Sequence, residues 1–207
     1  MSPEKEPLPK LEYHPVTPER WADLERLFGE HGADSGCWCM WWRLTRAQFA
    51  KQAGEKNRLA LKSIVDSGEV PGLLAYAHGE PVAWCSLGPR ENYGSLERSR
   101  ALKRVDDKPV WSIVCFFMAK PFRGRGLMAP FLTAAVEYAR KQGARIVEGY
   151  PVEPQKRLSA SSGYMGVVSA YRKAGFVEVM QTAARRPIMR HFMEGQQRAA
   201  RPRPRDT

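Results

Sequence analysis

The sequence predicts an α/β domain, a mixed sheet layered between helices. Three observations carry this. Apolar residues recur at helical spacing in the first third of the chain, and the pattern turns strand-like after residue 72. A near-continuous apolar run, 110–118, then sits between a polar connection and a glycine-rich loop. Such a run, rich in β formers, marks a central strand covered on both faces.

Taken in order, residues 1–12 are a leader into an edge strand at 13–16. Thr17 and Pro18 offer a helix cap and a first helical proline, and Trp21, Leu24, Leu27 and Phe28 place a helix that ends near Gly32. The aromatic segment Cys37-Trp38-Cys39-Met40-Trp41-Trp42 follows. A second helix covers 46–67, with Gly54 as a point of breakage. Residues 72–77 and 81–87 form a hairpin across His78-Gly79-Glu80, and 88–109 is a polar connection. After the central strand 110–118 come a loop at 120–126, a helix at 127–142 stopped by Gly143, and a strand at 146–150. A short helix at 166–173 ends at Gly175, and strands 176–180 and 187–192 close the domain as a second hairpin. The domain therefore spans 13–195, followed by a basic tail at 196–207.

The 207 residues suit one domain; 43% are hydrophobic and 27% charged, which excludes a wholly disordered or collagen-like chain. No stretch reaches the roughly 18 apolar residues of a membrane span, and acids and prolines occupy the place of a signal peptide, so a cytoplasmic protein without a membrane partner is expected. The net charge of +11 favours an anionic partner, cofactor or nucleic acid. Seven arginines (185, 186, 190, 198, 201, 203, 205) stand against Glu194 and Asp206 near the C-terminus, and the last dozen residues lack apolar periodicity. Cys37, Cys39, Cys85 and Cys115 are too scattered for a disulfide framework or a zinc site, so reduced thiols and no metal are expected.

Chemistry concentrates after the central strand. Arg123-Gly124-Arg125-Gly126 opens the 127–142 helix, where backbone N–H groups and the positive helix end converge on one point. Two glycines let phosphate oxygens approach the backbone, and two arginines add charge. The spacing matches neither the dinucleotide fingerprint nor the P-loop.

These residues resemble the GNAT superfamily of N-acetyltransferases, whose coenzyme A signature is Arg/Gln-x-x-Gly-x-Gly/Ala. Arg123-Gly124-Arg125-Gly126-Leu127-Met128 matches its first four positions; Met128 departs from the small final residue, with Ala129 directly behind it. About 48 residues on, Tyr171-Arg172-Lys173-Ala174-Gly175-Phe176 resembles the family's Tyr-x-x-x-Gly-Phe, and the likeness spans roughly 12–193. The resemblance implies a mostly antiparallel sheet whose fourth and fifth strands splay to admit a thioester. It implies acetyl transfer from acetyl-CoA to a primary amine by direct attack in a ternary complex. Pantetheine would pair with Phe117 and Met118, and the pyrophosphate would rest on Arg123 to Met128.

An amine of pKa near 10.4 is only about 0.04% deprotonated at neutral pH, so it needs a base or a desolvating site. The departing thiolate needs a donor, and motif position assigns that role to Tyr171, with core packing as the bland alternative. Family members often place a basic Glu on or near the central strand, but 110–118 holds no acid. Glu148 is the first candidate because an ionised group in a strand is costly to bury unpaired. A structural salt bridge with an arginine and a fully exposed edge position are its alternatives, and Glu153, Glu91, Asp106 and Asp107 follow. Cys115 reads as core more readily than as an acyl carrier. Trp38, Trp41 and Trp42, with Tyr150, could either plug the core or line an acceptor pocket by stacking and cation–π contact, which favours a small molecule over a protein acceptor.

Two other readings compete: a non-catalytic acyl-CoA-binding regulator, and a nucleic-acid binder using the basic surface. The second is disfavoured, since no recognition motif accompanies the charge. A second copy of the chain is a candidate partner.

Overall fold

The structure, a computed structural model, describes residues 9–154, 163–182 and 186–193. The basic tail at 196–207, most of the leader and Arg185 lie outside these residues.

The first strand, β1, is Glu12–Pro15, and helix α1 is Trp21–Phe28. The expected 46–67 helix is two helices, α2 at Arg46–Gln52 and α3 at Glu55–Asp66. Thr45 and Gln48 form a reciprocal capping box at the start of α2. The break has a cause: Gly54 turns to φ 83° and gives its N–H to the Gly36 carbonyl at 2.9 Å, not to its own helix. Asn57 Nδ2 donates to that same carbonyl at 3.0 Å, pinning the aromatic segment to α3.

Strands β2 (Gly72–Ala77) and β3 (Glu80–Pro89) form the first hairpin. The polar connection holds a short helix, α4, at Gly94–Glu97. Then follow β4 (Trp111–Met118), α5 (Met128–Lys141), β5 (Ile146–Gly149), α6 (Val168–Lys173), β6 (Val177–Gln181) and β7 (Pro187–Phe192). They build a seven-stranded sheet in the order β1-β2-β3-β4-β5-β7-β6. Every neighbouring pair is antiparallel except β4 and β5.

Side chains alternate between two layers, as a pleated strand requires. Leu73 and Ala75 face Phe131, Leu132 and Ala135 of α5, while Leu74 and Tyr76 face Trp21, Leu24 and Phe28 of α1 with Leu61 and Val65 of α3. On α5 the buried positions 131, 132, 135, 136 and 139 form one helical stripe.

Two irregularities open the sheet. In β4 the register against β3 passes from Cys115 opposite Ser86 to Ile113 opposite Leu87, so Val114 is a bulge. The parallel pairing of β4 with β5 covers only Trp111, Ser112 and Ile113 against Val147, Glu148 and Gly149. Beyond it the strands part, and Phe117 and Met118 are only half-buried where a fully covered strand was expected, because they border the gap.

Candidate functional site

A cleft of about 1040 Å³ opens where β4 leaves β5. The β4 end, the following loop and the start of α5 line one side, through Phe117, Met118, Arg123, Gly124, Gly126, Leu127 and Met128. Gly124 and Gly126 have φ of 70° and 80°, and nothing lies within 4 Å of where their Cβ atoms would stand. Glycine is required there for backbone conformation and leaves the space above the loop clear. No side chain caps α5, whose N-cap is Leu127, so its first-turn N–H groups keep their hydrogen-bonding capacity and the helix dipole adds positive potential. Arg123 also serves the fold, since its Nε donates to the Met118 carbonyl at 2.7 Å and ties the loop to the strand end.

The free edge of β4 is partly used. Phe116 donates its N–H to the Tyr164 carbonyl at 2.5 Å, whereas Ala119 donates to Val82 on the β3 side. Strand alternation therefore puts the Met118 N–H on the cleft edge.

Tyr171 is fully buried, and its hydroxyl donates to the Met165 carbonyl at 3.2 Å. Its ring fills the space that Cβ atoms would claim on Gly149, at the end of β5, and on Gly166. Met128 Sδ borders the same spot by Gly166, so Tyr171 stands one side chain behind the cleft wall of Met128 and Ala170. Burial pushes its phenol well above the usual pKa.

The other predicted site residues divide. Trp41 and Trp42 line the cleft, Trp41 carrying the Arg46 guanidinium 3.3 Å from its ring centroid. Trp38 turns into the core, stacked on Trp21 with centroids 6.0 Å apart. The cause is backbone: Ala33, Ser35, Trp38 and Cys39 all have positive φ, so no regular period governs where these side chains point.

Tyr150 and Glu148 are fully buried away from the cleft lining. Glu148 accepts from Arg90 at 2.8 Å, from Arg190 at 2.7 Å and from the Tyr150 hydroxyl at 2.7 Å. A carboxylate held by two guanidiniums is a structural counter-ion, the salt-bridge alternative. Glu91 pairs with Arg104, Asp106 with Arg190 and Glu153 with Arg172. Among the described lining residues of the cleft, Asp34 is the carboxylate. Cys115 reaches the cleft, but its Sγ lies 3.4 Å from Cys39 Sγ; the contact to Cys115 and burial hold the Cys39 thiol well above its usual pKa.

Sequence reasoning passed over Tyr164. It lines both this cleft and a second cavity of about 540 Å³ that shares Trp41 and Trp42 with it. Its only signal was an aromatic two residues before Gly166, too weak to single out. No group of three His, Cys, Asp or Glu placed to hold a metal occurs among the described residues, and no described helix is long and apolar enough to cross a membrane.

The model of the acetyltransferase (GNAT) family matches residues 38–176. No curated protein sequence matches the chain. Among solved structures, the PaiA N-acetyltransferase from Thermoplasma acidophilum, in complex with coenzyme A, aligns at TM-score 0.51 and 14% identity over 89% of this chain and 99% of that one. A GNAT-family acetyltransferase from Listeria monocytogenes aligns at TM-score 0.53 and 10% identity, over 88% and 95%. The aminoglycoside acetyltransferase AAC(6')-Ib, in complex with coenzyme A and kanamycin, aligns at 0.52 and 19% identity, over 88% and 95%. At these identities the likeness is one of fold.

Proposed function

Because this chain belongs to the acetyltransferase (GNAT) family, we propose that it moves an acetyl group from acetyl-CoA to an amine bound beside it in the same cleft. The observation that carries the reading is the β4–β5 gap leading to the uncapped α5 start behind Gly124 and Gly126. A pyrophosphate fits that cradle, since backbone N–H groups face clear space and the loop glycines leave no Cβ in the way. Two of the fold neighbours hold coenzyme A, which agrees with it.

In this reading the N–H groups around Gly124, Gly126 and Met128 take the phosphates, and the Met118 N–H pairs with the pantetheine amide. Acetyl-CoA, when bound, supplies an acyl carbon open to amine attack and a thiolate as leaving group. The donor role falls to Tyr171 by motif position, and it requires the hydroxyl to exchange its bond to the Met165 carbonyl for one to the thiolate, past the Met128 and Ala170 wall. Tyr164, which lines the cleft itself, is the second candidate. Direct attack by the amine is preferred to an acyl-cysteine route through Cys115, whose Sγ lies 3.4 Å from the buried Cys39 Sγ.

Calorimetric titration with acetyl-CoA, followed by thiol release on adding an amine panel, tests the reading. Binding without turnover on any amine would favour the acyl-CoA-binding regulator; no binding would end both.

A further inference from the structure

The second cavity, about 540 Å³, adjoins the cleft through Trp41, Trp42 and Tyr164. Three arginines line it: Arg46 at the start of α2, Arg98 just after α4, and Arg186 just before β7. No Asp or Glu is among its lining residues, and none of the three arginines has a carboxylate partner among the described residues. The more buried arginines Arg43, Arg58, Arg90, Arg104 and Arg190 each meet an acid, whereas Arg46 and Arg98 are exposed and Arg186 is half-buried at the cavity wall. The cavity's arginines make other contacts. Arg46 lies over Trp41, and Arg186 donates to the Tyr150 carbonyl at 3.1 Å. Partial burial lowers the Arg46 pKa, and the nearby Tyr164 hydroxyl works against that shift. The Trp42 indole N–H, on the same wall, is buried with no hydrogen-bond partner among the described residues. The Trp21 indole N–H shares this state in the core, so the Trp42 N–H counts here through its place on the arginine-lined wall.

We infer that the acceptor is a small amine that also carries an anionic group, a carboxylate or phosphate, seated between Arg46, Arg98 and Arg186 with the Trp42 indole N–H as a further donor. This rests on the acetyl-transfer reading and specifies its acceptor. Guanidinium forks match carboxylate and phosphate oxygens, and the Trp41 and Trp42 faces would cover the carbon frame between anion and amine. The same charges act on the nucleophile. An ammonium entering beside three guanidiniums loses its proton more readily, because a like charge disfavours the charged form. That supplies the free amine where no lining carboxylate other than the exposed Asp34 could serve as base. The neutral amine then forms its N–C bond to the acetyl carbon as the C–S bond breaks. The nitrogen gives up one proton, and the thiolate takes one. A polycation of the kanamycin kind meets repulsion at every additional ammonium.

The test compares matched acceptors at saturating acetyl-CoA, read as thiol release. One arm is L-amino acids against their amides; another is O-phosphoethanolamine against ethanolamine; a third is cadaverine and kanamycin. Coenzyme A titration of the same protein is read separately. The expected result is kcat/KM at least tenfold higher for one anionic class than for its neutral counterpart, with little turnover in the third arm. The first two arms say whether carboxylate or phosphate is preferred. In Arg46→Gln and Arg98→Gln, kcat/KM for the anionic acceptor should fall at least tenfold and its pH profile should shift upward, a larger loss than for the neutral counterpart, with coenzyme A affinity within threefold. Intact coenzyme A binding with cationic or neutral amines used as well as anionic ones, or with no anionic amine turned over, overturns the acceptor assignment alone. Loss of coenzyme A binding overturns the acetyl-transfer reading and this one together.

Discussion

Arg190 Nε donates to Glu148 Oε2 at 2.7 Å, and the two residues are register partners across β5 and β7. Arg90 holds the other oxygen at 2.8 Å, and Asp106 takes the far side of Arg190 at 2.8 Å. The network locks β5 to its neighbours at the point where it must part from β4, so the gap beyond Gly149 opens from a rigid edge. Its charges are out of water, so its value lies in completeness: deleting one member strands the others.

Glu148→Gln keeps the shape and removes the charge, leaving Arg90 with Glu97 and Arg190 with Asp106 but without the buried carboxylate they share. A loss of about 3–5 kcal/mol is expected. For a domain of this size that is a fall of about 10 °C in Tm by calorimetry. Acetyl-CoA affinity at a temperature where the variant is folded should not change. A near-normal Tm with lost turnover would instead restore Glu148 as the base.

His191 on β7 packs against Phe176, with ring centroids 5.5 Å apart, and its buried Nδ1 has no partner among the described residues. Burial lowers its pKa below the ordinary 6.5. The folded state therefore binds its proton less readily than the unfolded chain. That contribution is present above pH 6.5 and is lost as pH falls through the folded value. Urea midpoints followed downward from pH 7.5 should decline through this window, and His191→Gln should flatten the decline. An unchanged slope in that variant would assign the pH dependence to other groups.

Gly126→Val tests the cradle. At φ 80° a branched residue is strained, and its side chain would project into space now clear, where phosphate oxygens would sit. Coenzyme affinity should fall at least tenfold, about 1.4 kcal/mol. Unchanged calorimetric affinity in a folded variant would move the phosphates elsewhere.

Features written in contiguous sequence were legible. The apolar run at 110–118 and the glycine turn after it announced β4 and the start of α5, because strand burial and loop conformation depend on neighbouring residues. The β4–β5 splay came only with the family resemblance. What depended on distant partners was hidden. Glu148 looked like a costly lone carboxylate because Arg90 and Arg190 lie 58 and 42 residues away. Trp38 and Trp41 looked equivalent, since positive-φ residues break the period that would have separated a core side chain from a cleft one. The helix break at Gly54 was marked by the glycine itself, but its partner, the Gly36 carbonyl, was not.

Tyr171 and Tyr164 are the two phenols beside the gap, and substitution distinguishes them. Tyr171 is wholly buried with its hydroxyl on the Met165 carbonyl, while Tyr164 lines both cavities and holds Phe116 through its backbone. Tyr171→Phe keeps the ring that packs on Gly149 and Gly166 and removes one hydroxyl. Tyr164→Phe leaves the backbone bond to Phe116 in place. If Tyr171 protonates the thiolate, its variant should bind acetyl-CoA normally and lose about 10²–10³-fold in kcat, the scale of one positioned proton donor. Tyr164→Phe should then stay within threefold. Both should be measured where chemistry limits the rate, shown by a burst-free approach to steady state. The opposite pattern would pass the donor role to Tyr164 and leave Tyr171 as a core side chain packed against Gly149 and Gly166.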